Sequence, residues 1–148
     1  MLVQSAPGDW TITSKLVFSS APHANNQQGG IIAYQDDDDY VKLDWEFSSG
    51  AARFGETIED SLSGAPVAQV LRTIPTASIM GAGTTVWLRM VKRGPIYTTS
   101  YSTDGVSFTP IYTTGAALAN VKAGVFAYNR AGTTSDLSVA FDDFNVSP

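Results

Sequence analysis

Residues 27–46 read QQGGIIAYQDDDDYVKLDWE, and this stretch decides the fold. Two segments rich in β-forming residues flank an acidic turn at Asp36–Asp39. After the turn the side chains alternate strictly, which is the period of a strand with one buried face. The two alternating sets are Val41, Leu43, Trp45 and Phe47, and Tyr40, Lys42, Asp44 and Glu46. The pattern predicts a hairpin within a β-sandwich, with a polar outward face suited to binding a ligand.

Composition narrows the class of protein. The chain has 148 residues, 43% of them hydrophobic and 16% charged, which predicts a single globular domain over residues 1–148. No apolar run reaches the ~18–20 residues that cross a bilayer, so we expect no membrane partner. The net charge of −5 is opposite to the basic patch that nucleic acid requires. The absence of cysteine excludes a disulfide framework and a thiolate metal site.

Short strand patterns separated by turn signals continue along the whole chain. Besides the hairpin, we predict strands at 2–4, 10–18, 51–55, 67–74, 86–92, 96–101, 107–112, 121–128 and 137–146. Turns are predicted at Arg93–Pro95 and at Ser102–Gly105, where Asp-Gly favours a short hairpin. The only helix candidate is short, at 57–62. This organisation indicates an all-β fold of two antiparallel sheets. The predicted core comprises Trp10, Ile12, Leu16, Phe18, Ile32, Val41, Leu43, Trp45, Val86, Leu88, Met90, Phe108, Val125, Phe141 and Phe144.

Four motifs, in order, carry a resemblance to a known family. They are Gly8–Ile12, Gln28–Asp36 followed by Tyr40–Leu43, Val86–Arg89 followed by Tyr101–Phe108, and Phe141–Val146. Over nearly its whole length the chain resembles the concanavalin A-like (laminin G-like) jelly-roll modules attached to secreted bacterial glycoside hydrolases. Its nearest look-alikes are the non-catalytic C-terminal domains of β-xylosidases and arabinofuranosidases. Family members carry a further N-terminal stretch with a strand, which this chain lacks; either the module is shortened or that strand is missing.

The resemblance implies a function as well as a jelly-roll sandwich. It implies a non-catalytic carbohydrate-binding accessory module of an extracellular polysaccharide-degrading enzyme. The expected partners are a polysaccharide or oligosaccharide and a covalently linked catalytic domain, with the module itself a monomer. Two alternatives remain open. One is a structural module that packs on a catalytic domain, and the other is a protein-adhesion module like laminin G.

Candidate sugar-binding residues follow from the alternation. Sugar binding needs aromatic rings together with planar or charged hydrogen-bonding groups. Assigning Val86, Leu88 and Met90 to the core turns Trp87 and Arg89 outward. The predicted carbohydrate-binding residues are therefore Trp87, Arg89, Tyr40, Lys42, Asp44 and Glu46. The alternative is a solvated sheet face with cross-strand charge pairs, and a one-residue slip in register would invert every assignment.

Acidic residues suggest two places for a cation. In the resembling modules, an acidic residue of the closing motif helps to bind a structural Ca²⁺, which here implies Asp142 and Asp143 with Asp9 as the local partner. The alternative places one of these aspartates in solvent and the other on backbone N–H groups. The run Asp36–Asp39 lacks the spacing of an EF-hand loop, and we interpret it as a solvated turn in which aspartate caps its own backbone.

Catalysis is not expected from this chain. Asp44 and Glu46 lie on one face of one strand, about 6–7 Å apart, rather than on opposite sides of a cleft. The only histidine, His23, lies in a Pro/Asn-containing loop and has no second histidine with which to bind zinc. We therefore predict a binding module and not an enzyme.

Overall fold

The computed structural model describes residues 1–61, 65–129 and 136–148, with the side chains of residues 65–68 and 71 left out. Within these ranges the chain is almost entirely β-structure. In chain order the elements are β1 (Leu2–Ser5), β2 (Trp10–Phe18), β3 (Gln28–Asp36), β4 (Asp39–Ser48), β5 (Ala51–Asp60), β6 (Ala65–Pro75), α1 (Ala77–Met80), β7 (Thr85–Arg93), β8 (Ile96–Ser102), β9 (Thr109–Gly115), β10 (Lys122–Tyr128) and β11 (Val139–Ser147). No helix in the described ranges is long and apolar enough to cross a membrane.

The strands form two antiparallel sheets. The first has six strands in the order β1-β10-β3-β4-β5-β6, and the second has five in the order β11-β2-β7-β8-β9. Within each sheet the neighbouring strands run antiparallel. The predicted all-β antiparallel sandwich, of the jelly-roll kind, is confirmed.

The core lies between the two sheets because alternate residues of the central strands face inward. In β2 every second residue from Trp10 to Phe18 is buried, and β7 alternates in the same way through Val86, Leu88 and Met90. The Phe18 ring meets the Trp45 indole edge-on, with centroids 4.8 Å apart. Each fully buried large apolar side chain contributes roughly 1.5–3 kcal/mol, so these contacts hold the sheets together.

Most of the predicted core is confirmed, Phe108 and Phe144 are wrong, and Ile32 is buried in a different place from the one expected. Ile32 is buried, yet it lies opposite Lys42 on the outer face of the six-stranded sheet and is not part of the inter-sheet cluster. Phe108 is half-buried in the loop that follows β8. Phe144 is 37% exposed, because it lies three residues after Phe141 and alternation places the two rings on opposite faces of β11. A bulge between Asp142 and Asn145 lies at the same point. Val125 and Phe141 are partly buried and pack against the core.

The predicted helix at 57–62 is also wrong over its described part. Residues 57–60 lie in β5, where Ile58 pairs with Val41 and is 8% exposed. Burial of Ile58 and the backbone pairing with β4 outweigh the local helical preference of this stretch. The short helix is found instead at Ala77–Met80. The position of residue 62 lies outside the described residues.

Candidate functional site

The six predicted sugar-binding residues lie on two opposite outer faces. Tyr40, Lys42, Asp44 and Glu46 project from β4 in the middle of the six-stranded sheet, whereas Trp87 and Arg89 project from β7 in the five-stranded sheet. All six belong to the outward-facing set of their strands, since the alternate residues face the core. They cannot contact one ligand together, so the single predicted site is corrected to two separate surfaces.

The Trp87 surface is covered by the protein's own loop. β8 ends at Ser102 and β9 begins at Thr109, so the connection at 103–108 is longer than the short hairpin turn predicted at Ser102–Gly105. This loop folds back over β7. Gly105 lies against the indole of Trp87, since a β-carbon there would be 2.9 Å from Cε2 of Trp87. The rings and charges of this face are therefore engaged within the molecule.

Arg89 is engaged in the same way. Its guanidinium carbon lies 3.5 Å from the centroid of the Phe108 ring, and its Nε donates a hydrogen bond to Oγ1 of Thr13 at 3.2 Å. A cation over an aromatic face is stabilised by the ring quadrupole. Phe108, predicted to be core, instead caps Arg89 on the outer surface.

The other face carries an open cleft of about 500 Å³. Four aromatic rings line it: Tyr34, Tyr40, Phe126 and Tyr128. Tyr34 lies opposite Tyr40, and Phe126 lies opposite Gly30. Gly30 permits this arrangement, because a β-carbon there would overlap the carbonyl oxygen of Leu43 and crowd Asp44. The missing side chain brings β3 close to β4 and leaves space beside the Phe126 ring.

Polar groups from β3, β4 and the turn between them complete the lining of this cleft. Gln28, Asp37 and Lys42 reach it beside the rings. The hydroxyl of Tyr34 donates to Oδ1 of Asp37 at 2.7 Å. Burial, together with the neighbouring Glu59 carboxylate, raises the pKa of Tyr40, so that its phenol stays neutral and able to donate a hydrogen bond. We call this surface the aromatic cleft.

Lys42 and Asp44 form an ion pair at the floor of the aromatic cleft. The ammonium of Lys42 lies 3.0 Å from Oδ2 of Asp44 and donates to Oε1 of Gln28 at 2.5 Å. It also lies 5.5 Å from the centroid of the Phe126 ring. Asp44 is fully buried, and that burial raises the pKa of its carboxyl to about 6, although Lys42 acts in the opposite direction. Asp44 therefore cannot reach a ligand or flank a scissile bond.

Sequence reasoning found only part of this cleft. Of the predicted residues, Tyr40 and Lys42 line it, Asp44 lies beneath it, and Glu46 lies beside it, accepting a hydrogen bond from Ser48 at 3.0 Å. The sequence-based prediction did not include five other residues that line the cleft: Tyr34, Gln28, Asp37, Phe126 and Tyr128. The alternation of residues 121–128 could have identified two of these residues. Phe126 and Tyr128 fall on the face opposite Ala123 and Val125, which places both rings on the outer surface.

The three predicted calcium ligands do not come together. Oδ1 of Asp9 accepts the N–H of Gly94 at 2.7 Å, whereas Asp142 is exposed and lies 3.8 Å from the ammonium of Lys15. Lys15 is six residues beyond Asp9, roughly 20 Å along an extended strand. Asp143 is exposed on the bulge, and its N–H donates to Oδ1 of Asp142.

These three residues therefore do not fit a shared calcium ion. Within the described residues, no group of three or more His, Asp or Glu side chains is placed to hold a metal. Calcium dependence itself stays a prediction.

The acidic turn matches the sequence interpretation only in part. Asp36, Asp37 and Asp38 are exposed, and Oδ1 of Asp36 accepts the N–H of Asp38 at 3.0 Å, a bond typical of aspartate in turns. Asp39 is instead buried, and its Oδ1 accepts the N–H of Ser61, which follows β5, at 2.6 Å. His23, the histidine of the predicted loop, is exposed, and its ring contacts the carbonyl of Ala21.

Comparison with known proteins places the whole chain in one family. Residues 1–148 match the family model described as protein of unknown function, DUF1349. The chain belongs to the DUF1349 family. None of the functionally characterised proteins compared with this DUF1349 domain matches it in sequence.

Solved structures match its fold. The GH43 protein BlXynB from Bacillus licheniformis, in a mutant form, superposes with a TM-score of 0.80 at 19% identity over 98% of this chain. A xylan β-1,4-xylosidase from Bacillus halodurans gives 0.73 at 15% identity over 95%. A functionally unknown protein from Saccharomyces cerevisiae gives 0.81 at 18% identity over 100%.

These likenesses concern part of each longer protein. The DUF1349 domain spans 29% of BlXynB, 28% of the xylosidase and 74% of the yeast protein. At such low identities they show the fold alone. They confirm the resemblance to sandwich domains found within glycoside hydrolases, and they leave the type of module as a prediction.

Proposed function

We propose that this DUF1349 domain is a non-catalytic carbohydrate-binding module that holds an oligosaccharide or polysaccharide chain in the aromatic cleft. The observation that carries the proposal is the convergence of four aromatic rings with Gln28, Asp37 and Lys42 on one outer face. On the opposite face, the 103–108 loop lies against Trp87 and places Phe108 over Arg89.

The chemistry of the cleft suits a sugar. Aromatic rings pack against the apolar faces of pyranose and furanose rings, and Tyr128 has 52% of its surface available for this contact. Carboxylate, amide and ammonium groups hydrogen-bond to hydroxyls. Only part of the ligand would be enclosed, so we expect a dissociation constant on the order of 10–1000 μM.

The structural context supports an accessory role. Similar domains make up less than a third of two hydrolases, BlXynB and a xylosidase, so a domain of this fold can share a chain with a catalytic domain. We propose the same for this chain, within an extracellular polysaccharide-degrading enzyme and without self-association. A weak binding module would raise the local concentration of its catalytic partner on the polysaccharide.

A glycan array followed by titration calorimetry with the best ligand tests the proposal, with and without Ca²⁺. Tyr128→Ala should weaken binding about tenfold, since a stacked ring contributes roughly 1–1.5 kcal/mol. Tyr112→Ala is the matched control, because Tyr112 is 39% exposed but lies on β9 of the other sheet. Trp87→Ala should leave the affinity unchanged. The absence of heat with every plant and fungal glycan would refute the proposal.

A further inference from the structure

The floor of the aromatic cleft holds a cation that is nearly removed from water. The Lys42 side chain is 16% exposed and that of Asp44 is 1% exposed. Burying a charge is costly unless a counter-charge and hydrogen bonds compensate it. Asp44 and Gln28 provide both for Lys42, at 3.0 and 2.5 Å.

Two glycines make the burial of Asp44 possible. Gly30 on β3 and Gly55 on β5 lie opposite Asp44 on either side. A β-carbon on Gly55 would lie 3.1 Å from Oδ1 of Asp44. The Asp44 carboxylate therefore rests between the backbones of two neighbouring strands. Neither of its oxygens has a hydrogen-bond donor in good geometry among the described residues, so the ion pair with Lys42 is its principal compensation.

The charged side chains that face the Lys42–Asp44 pair lie on β4 and β5. On β4 itself, Glu46 faces Asp44 and raises its pKa further. On β5, Arg53 lies opposite Glu46, and its Nε donates to the carbonyl of Ser48. The residue of β10 that approaches Lys42 is the uncharged Phe126.

Other titratable groups lie further up the same face. The next pair along the strands is Tyr40 on β4 with Glu59 on β5, and Asp44 contributes to the raised pKa of Tyr40. Tyr34 on β3 donates to Asp37, and Lys122 on β10 lies over the Tyr34 ring. Asp44, at 3.0 Å, is therefore the carboxylate that pairs with the Lys42 ammonium among the described residues.

We infer that Lys42 is the polar anchor of the cleft, donating a hydrogen bond to a hydroxyl or ring oxygen of the bound sugar, and that Asp44 is the positioning residue that holds its ammonium group there. This inference rests on the proposed function and names the residues that would carry its polar recognition. An ammonium has three N–H donors. One is directed to Gln28, and the ammonium pairs with Asp44 at 3.0 Å, which leaves an N–H for a ligand that stacks on Phe126 and Tyr128.

The ion pair makes recognition sensitive to acid. Burial raises the pKa of Asp44 to about 6, so its charge is present at neutral pH and is lost as the pH falls below that value. Lys42 then loses its counter-charge and is held by Gln28 alone. Sugar affinity should therefore fall between about pH 7.5 and pH 5, in step with protonation of Asp44.

Calorimetric titration of four variants with the ligand identified on the array tests this inference. Lys42→Met should weaken binding about ten- to hundredfold, the range for a hydrogen bond from a charged group. Lys15→Met is the matched control and should change affinity less than about threefold, because Lys15 lies over the Trp87 ring on the other sheet. Asp44→Asn should bind about tenfold more weakly at neutral pH and should lose the pH dependence. Glu46→Gln should retain the pH dependence.

A second measurement needs neither a ligand nor a variant, so it tests the inference even if the variants fail to fold. The side-chain NMR signals of Lys42 in the unmodified chain should titrate with a carboxyl group whose pKa is near 6. Lys42 signals that do not respond would overturn the positioning role of Asp44.

The outcomes separate this inference from the proposed function. Binding that Tyr128→Ala weakens but Lys42→Met leaves unchanged would overturn the inference alone. A pH profile that persists in Asp44→Asn would exclude Asp44 as the positioning residue. If the unmodified chain binds no glycan, both the inference and the proposed function fail.

Discussion

Gly105 lies so close to Trp87 that no side chain fits between them. A β-carbon at residue 105 would be 2.9 Å from Cε2 and 3.1 Å from Nε1 of the indole. Gly105 also has φ of +76°, a left-handed conformation that costs other residues about 1–2 kcal/mol. This contact, rather than a bound sugar, occupies the outward ring of Trp87.

Gly105→Ala should lower the free energy of unfolding by about 2–4 kcal/mol, because the backbone strain adds to the overlap with Trp87. Gly8→Ala is a matched control, since Gly8 also has φ of +76° but would place its β-carbon in open space. The control should cost only about 1–2 kcal/mol. Equal losses for the two variants in urea denaturation would show that the indole contact contributes nothing.

Asp104 organises the loop that carries Gly105. Its Oδ1 accepts the N–H groups of Ser107 and Val106, each at 2.8 Å, and these bonds lower its pKa. Asp104→Ala should loosen the loop and expose Trp87 to solvent. Acrylamide quenching of tryptophan fluorescence measures this exposure. Trp10 and Trp45 are only 2% and 1% exposed, so a change in quenching comes from Trp87.

The control for that variant is Asp38→Ala, an exposed aspartate in the turn between β3 and β4 of the other sheet. It should leave the quenching unchanged. If Asp104→Ala also leaves it unchanged, the loop is held over Trp87 by other contacts.

The strands and most of the core could be predicted because a period of two is a local property. β2, β4 and β7 alternate residue by residue, and their inward sets form the core as expected. Predictions failed where the alternation was not applied or was outweighed. Phe141 and Phe144 are three residues apart and so fall on opposite faces of β11, and pairing with β4 drew residues 57–60 into a strand.

The candidate site was less predictable because it depends on which strands share a sheet. Alternation turned both Trp87 and Tyr40 outward, but it carries no information on whether two outward residues face the same side of the molecule. Tyr128 reaches the cleft only because β10 pairs with β3. The covering of Trp87 by Gly105 depends on the path of a loop, which no strand pattern encodes.

The buried hydroxyl of Thr76, the residue before α1, connects Trp45 in the core to β5. Nε1 of Trp45 donates to Oγ1 of Thr76 at 2.9 Å, and the same hydroxyl donates to the carbonyl of Ala52 at 3.0 Å. Thr76→Val keeps the shape but leaves the indole N–H without an acceptor, which costs about 1–3 kcal/mol. Thermal unfolding measures the loss. Thr98→Val, which removes a hydroxyl from the exposed Thr98–Thr113 contact, should cost less than about 0.5 kcal/mol.

Glu56 should make the stability of the domain depend on pH. It lies within the sandwich with no exposed surface, and the hydroxyl of Thr99 donates to its Oε2. Its Oε1 has no partner among the described residues. Burial raises the pKa of Glu56 from 4.5 to about 7, against the opposing effect of the Thr99 hydrogen bond.

A carboxyl group with a higher pKa in the folded state binds its proton more tightly there than in the unfolded chain. Its contribution is therefore complete below about pH 4.5 and is lost as the pH rises to about 7, a change of up to about 3 kcal/mol. Denaturation of the unmodified chain across this interval should show the decline, and Glu56→Gln, which is neutral at every pH, should reduce it. Glu59→Gln, on the outer face of the same strand, should leave the slope as it is. A slope unaffected by Glu56→Gln would mean that Glu56 is charged in the folded protein.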